Sequence, residues 1–290
     1  MTSAISGIKI IECPRDAMQG ITEFIHTETK IFYLNTLLKA GFYAIDFGSF
    51  VSPVAIPQMR DTRAVLEGLD LSDTSSKLLA IVANKRGAEE ALEHPEISYL
   101  GFPLSISETF QKNNTNKTIT EALGVVRDIH ELCSNKEREL VVYLSMAFGN
   151  PYADPYDEKL LLSFVQKLDE LGITTISLSD TIGVATPELI SKIFPPLIEG
   201  FPHIEFGAHL HSTAETAIAK IEAAYKAGCK RFDGAIKGFG GCPMAKEELT
   251  GNIATETILG FLEAQGLELG IDKGKFSIAL NTALEVFPTA

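Results

Sequence analysis

Cysteine is scarce in this chain and never closely paired: Cys13, Cys133, Cys229 and Cys242 lie far apart, with no CxxC among them. That spacing argues against a disulfide framework, and it fits a reduced, cytoplasmic setting. Basic residues are outnumbered, 25 Lys+Arg against 38 Asp+Glu, for a formal charge of −13. Such a balance argues against nucleic-acid partners and against attraction to an anionic membrane surface. An anionic substrate is not excluded, because salt screens charge beyond roughly 10 Å and a local cation cluster then decides. No apolar run reaches the roughly 20 residues of a membrane-spanning helix. The opening stretch MTSAISGIKIIEC has no basic segment before an apolar run and is not arginine-rich, so neither a secretory signal nor a transit peptide is expected. Also missing are a Pro/Gly/Ser linker, a low-complexity tract and a glycine-rich dinucleotide fingerprint after the first strand.

What is present is regular. Eight short β-rich runs recur at 8–13, 43–48, 77–83, 97–102, 139–145, 174–179, 204–210 and 231–236. Most are separated by segments with apolar spacing near 3.6 residues. From Glu28 to Ala40, Ile31, Leu34, Leu37 and Leu38 share a face and Gly41 stands as the cap. Thr186, Pro187 and Glu188 read as N-cap, first-turn proline and acidic first turn. Ala214 to Ala227 reads as a helix closed by Gly228, whereas Pro14 to Thr27 reads mostly as loop. Strand then helix, eight times over, predicts an α/β fold: a single-domain (β/α)8 TIM barrel spanning residues 1–290. The alternative, an open doubly wound sheet, is weakened by the missing fingerprint.

The unusual polar residues gather just after the strands. Arg15 and Asp16 follow the first, Asp46 and Ser49 close the second, and Asp180 follows the sixth. His209 and His211 end the seventh, and Cys242 and Asn252 follow the eighth. Barrel enzymes build their active sites at this end of the strands.

The segment GAHLHS places His209 and His211 on one face of a strand, Cα atoms about 6–7 Å apart. That spacing suits two imidazoles on one ion, and equally a pair of hydrogen-bonded histidines at a strand end. Asp16 and Asn252 tip the balance by completing a mixed nitrogen and oxygen set. It favours Mg²⁺ or Mn²⁺, since Zn²⁺ more often recruits thiolate or a third histidine. Arg15, next to a ligand, is placed to stabilise an oxyanion, although Arg-Asp neighbours are commonly plain surface charges. Cys242, in GFGGCPMAKEELTGN, sits on a glycine-rich loop where a thiol can move a proton, although isolated cysteines are most often small buried hydrophobes. Asp46 is a candidate acid or base, or merely a cap. Gln19, Ser49 and Asp180 are read as support for the ligands. Cys13, Cys133 and Cys229 are read as structural, and His26, His94, His130 and His203 receive no role. Residues 105–118, SISETFQKNNTNKT, read as a long loop in which Lys112 and Lys117 can meet phosphates.

Together PRDAMQG, the Ser49–Pro53 and Pro57–Met59 run, SLSDTIG, GAHLHS and GGCP…GN resemble the 3-hydroxy-3-methylglutaryl-CoA lyase family, metal-dependent barrel lyases related to the isopropylmalate synthases. The resemblance runs from about residue 8 to 265. It implies cleavage of an acyl-CoA thioester to acetoacetate and acetyl-CoA. It further implies a cation on Asp16, His209, His211 and Asn252, Arg15 at the thioester enolate, and Cys242 in proton transfer, with Asp46 or His209 as base. Departures are Asp46 where the family usually has Glu, Ala17 where it has Gly, Ser212 where it has Asp, and one residue fewer before Pro14. A condensing enzyme of the isopropylmalate synthase type, and a catalytically silent metal-binding homologue, are the competing readings. Assembly is left open, a homodimer included.

Overall fold

The computed structural model describes residues 7–241 and 250–287. Eight parallel strands close a barrel: β1 (Lys9–Glu12), β2 (Ala44–Ser49), β3 (Lys77–Ile81), β4 (Ile97–Ser105), β5 (Glu139–Ser145), β6 (Thr175–Ser179), β7 (Glu205–His209) and β8 (Arg231–Gly234). Each pairs with the next, and β8 closes the cylinder on β1. All eight runs read from the sequence are strands. Both faces of these strands are covered, so near-continuous apolar runs rather than alternation mark them.

Around the barrel lie α1 (Pro14–Gln19), α2 (Thr27–Leu38), α3 (Thr62–Glu67), α4 (Lys85–Ala91), α5 (Glu108–Thr115) and α6 (Ile119–Asn135). They continue with α7 (Glu158–Glu170), α8 (Pro187–Gly200), α9 (Ala214–Lys226), α10 (Thr255–Ala264) and α11 (Lys273–Val286). Local chemistry starts many of them. Thr186 caps α8 by accepting from Leu189 N–H, and Pro187 occupies its first turn. Thr118 and Glu121 form a reciprocal capping box on α6.

Two stretches read as loop are partly helical. Pro14–Gln19 forms α1, with proline in its first turn and Asp16 acidic beside it; five of its six residues are buried. One and a half turns are too short to show a period. Within 105–118, β4 runs to Ser105 and α5 follows, capped by Ser107 and ended by Asn116 in the left-handed region at φ 55°. Lys112 there pairs with Glu108 at 3.1 Å on an exposed face.

The core has two parts. The larger packs strands against helices, with Ile10, Leu34, Phe102, Ile129 and Leu178 among its members. The smaller fills the barrel with Ile11, Cys13, Ala44, Leu79, Ile81, Tyr99, Val141 and Tyr143. Polar groups share that interior: Ser177, Arg231 and Asp233 are buried there. At the C-terminal mouth, residues 211–212 and 251–252 form a short antiparallel ladder that sets Asn252 opposite His211.

Candidate active site

Three chain segments, joined by Asp46 from β2, bring the polar groups of the mouth together. The first is α1. Arg15 and Asp16 are buried, at 8% exposure each, because the helix packs onto β2 and the turn at 57–59. Arg15 Nε donates to both Asp46 oxygens, at 3.2 and 3.0 Å, and Nη2 donates to Asp46 Oδ2 at 2.5 Å. Its Nη1 donates to Asp16 Oδ1 at 3.1 Å and to Gln19 Oε1 at 2.8 Å. Gln19 Nε2 in turn donates to Asp16 Oδ1 at 2.7 Å. Among the described residues, one Nη2 hydrogen of the guanidinium then remains for another acceptor. A register shift between Asp46 and Gly48 on β2 marks the point from which Asp46 is aimed at Arg15.

The second segment is the end of β7. Asp16, His209 and His211 offer ligand atoms that all lie within 4.8 Å of one another, and all three residues are buried. His209 Nδ1 lies 3.3 Å from Asp233 Oδ2, which leaves Nε2 as its free nitrogen. Among the described residues, neither buried ring nitrogen of His211 has a hydrogen-bond partner; the Thr181 backbone approaches the ring without completing a bond. Buried polar atoms are nearly always paired. A neutral imidazole with orphaned nitrogens beside a carboxylate and a second imidazole is chemically suited to a cation.

The third segment is the return from the glycine loop. Asn252 Nδ2 donates to Asp16 Oδ2 at 2.7 Å and to Phe239 O at 2.9 Å. Gly240 seats the start of that loop directly on α1. With φ at +88°, a side chain there is strained, and a Cβ would lie 2.7 Å from Asp16 O and 2.8 Å from Ala17 Cα.

Electrostatics sorts these groups. Burial pushes His211 down to about 4, with His209 adding to it, so its ring is neutral near pH 7. Burial also works against a charged His209, but the Asp233 carboxylate outweighs it and the His209 pKa is raised. Burial acts to raise Asp16, yet Arg15, His209 and His211 bring it below the ordinary carboxylate range. Asp46 is pushed up to about 6 by burial, against the pull of Arg15, and is still an anion at neutral pH. A second trio, Cys13, His209 and Asp233, also meets within 4.8 Å. Burial holds the Cys13 thiol well above its ordinary value, so it offers no thiolate.

A family model described as HMGL-like matches residues 8–282. The chain belongs to the HMGL-like family. Hydroxymethylglutaryl-CoA lyase YngG of Bacillus subtilis is 35% identical over 258 residues, covering 89% of this chain and 85% of the relative. The solved HMG-CoA lyase of Bacillus subtilis superposes with a TM-score of 0.90 at 34% identity, covering 96% of this chain and 93% of the other. An HMG-CoA lyase from Acinetobacter baumannii, solved in complex with coenzyme A and 3-methylmalate, gives 0.89 at 30% identity, covering 98% and 93%.

Within this HMGL-like barrel, Arg15, Asp16, Gln19, Asp46, His209, His211 and Asn252 come together at one mouth. Asp180 stands behind them: its N–H donates to His209 O at 2.9 Å, and its carboxylate accepts from Lys220. At the end of β2, the buried Ser49 hydroxyl donates to Ile81 O on β3 at 3.2 Å. Cys242 lies outside the described residues. Three buried residues escaped sequence reasoning. Asp233 and Arg231 sit within RFDGAI, where two charges inside a buried strand were the available signal. Lys220 shares the buried stripe of α9 with Ala217, Ile221 and Ala224, a position where a solvated lysine does not belong.

Proposed function

We propose that this chain is a divalent-cation-dependent carbon–carbon lyase that cleaves 3-hydroxy-3-methylglutaryl-CoA to acetoacetate and acetyl-CoA. The observation that carries the reading is the buried convergence of Asp16, His209 and His211 within 4.8 Å, beside Arg15. Asp16, His209 Nε2 and His211 would hold the ion, with the Asn252 amide oxygen as a fourth donor. A nitrogen and oxygen set without thiolate favours Mg²⁺ or Mn²⁺ over Zn²⁺. When bound, such an ion supplies Lewis acidity that makes a neighbouring tertiary hydroxyl easier to deprotonate.

The chain's own residues do the rest. With His209 occupied on both sides, Asp46 is, among the described residues, the carboxylate left to accept the hydroxyl proton. Arg15 is locked in orientation by Asp46, Asp16 and Gln19, and its remaining Nη2 hydrogen would serve the oxygen of the departing thioester enolate. Preorganisation matters there, since the guanidinium need not reorient as charge develops. Cys242 supplies the proton to the enolate carbon. Buried walls around Arg15 and Asp46 keep water from quenching that charge.

Purified protein incubated with the thioester and Mg²⁺ is expected to release acetoacetate, read by a coupled assay. Absence of product, with the ion shown to be bound, overturns this substrate. Thiol release from acetyl-CoA in the presence of an α-keto acid would instead favour a condensing enzyme.

A further inference from the structure

Beneath the mouth, the barrel interior holds a buried charged pair that the proposed mechanism does not use. Arg231 and Asp233 are neighbours but one on β8, and both side chains are fully shielded, at 0% exposure. The register places Asp233 directly beside His209 on β7, and Arg231 beside Gly207. Adjacent residues in such a pair face the same side, here the lumen.

We propose that Asp233, backed by Arg231, is a positioning residue that fixes which nitrogen of His209 faces the ion. Asp233 Oδ2 lies 3.3 Å from His209 Nδ1 and accepts from Ser177 Oγ at 3.2 Å. An anionic acceptor at Nδ1 pins the imidazole proton there and points the Nε2 lone pair at Asp16 and His211. Arg231 Nε stands 3.9 Å from Asp233 Oδ1 and supplies the opposite charge. Gly207 makes room for it: a Cβ there would lie 2.9 Å from Arg231 Cδ and 3.1 Å from Ser177 Oγ. On the other side, the Tyr143 ring meets His209 edge-on, centroids 5.6 Å apart at 81°. The imidazole is therefore held by a carboxylate at one edge and an aromatic wall at another. The inference rests on the metal reading of Asp16, His209 and His211.

The test uses the intact chain with ¹⁵N-labelled histidine, stripped of metal at pH 8, and Mn²⁺ as the probe. His209 in the wild type is expected as the Nδ1–H tautomer, and Mn²⁺ is expected to bind. Asp233→Asn is expected to mix the tautomers and weaken Mn²⁺ about 10–100-fold, the range seen for such supporting partners. Arg231→Met is expected to weaken Mn²⁺ in the same direction, and Arg231→Lys, which keeps the charge, to restore most of it. An Nε2–H tautomer in the wild type overturns the inference without any variant, so a misfolded mutant does not shelter it. Unchanged Mn²⁺ affinity in folded Asp233→Asn overturns it while leaving the metal site standing. A wild type that binds no Mn²⁺ overturns the metal reading itself, and this inference with it.

Discussion

Lys220 Nζ lies 2.7 Å from the carbonyl oxygen of His211. The same ammonium donates to Asp180 Oδ2 at 2.9 Å and to Gly183 O at 3.0 Å. One buried cation on α9 thus ties the backbone of a candidate ligand to the loop after β6. Replacing it by methionine fills the space and leaves the Asp180 carboxylate without its counter-charge. Lys220→Met is expected to lower stability by about 3–5 kcal/mol in a denaturant titration. Mn²⁺ affinity should fall with it, and adding Asp180→Asn should recover part of the loss.

The ligand set makes a direct claim. Asp16→Ala or His211→Ala is expected to weaken Mn²⁺ binding at least tenfold and to abolish acetoacetate release. Electron paramagnetic resonance of added Mn²⁺ reads the first effect independently of the second. Full metal affinity in folded His211→Ala would remove it from the set.

Asp46 separates chemistry from binding. It touches Arg15 but not the His209–His211 pair, so Asp46→Asn should leave Mn²⁺ affinity within about threefold while lowering kcat by roughly 10²–10⁴, the usual range for a lost proton acceptor. A tenfold drop in metal affinity would instead make it a pillar of the ion site.

Glu12, at the end of β1, gives a pH signature outside the candidate ligand set. Its fully buried carboxyl accepts from Thr255 Oγ1 and Ile236 N–H, yet burial pushes its pKa up to about 8. The folded chain therefore keeps a proton between about pH 4.5 and 8 that the unfolded chain has released. Its contribution to stability is fully present below that window and declines as pH rises through it, by a few kcal/mol in all. Glu12→Gln cannot ionise, so its melting temperature should fall less than the wild type's between pH 5 and 8. Parallel curves for the two proteins would contradict this.

The barrel strands were legible because each is a short apolar run bounded by polar turns. The mouth was legible because its residues follow those runs directly: Arg15 and Asp16 after β1, Asp46 on β2, His209 at the end of β7. Short α1 and α5 escaped because one or two turns carry no period. Asp233 escaped for a different reason. Its meaning depends on lying beside His209, and that register arises only when the barrel closes. Ser49 shows a limit of another kind: position at a strand end does not say which acceptor a hydroxyl takes, here Ile81 O.

Asp16 and Asn252 stand 236 positions apart, yet touch at 2.7 Å. An ion gripped by both is a clasp across nearly the whole length of the polypeptide, seated where the first and last staves of the cylinder meet. Occupancy then resists opening of that seam, by about 2.7 kcal/mol when free ion is a hundredfold above its Kd. Heat resistance should climb with added Mn²⁺, so that a sparse supply of cation would cost this chain endurance as well as turnover.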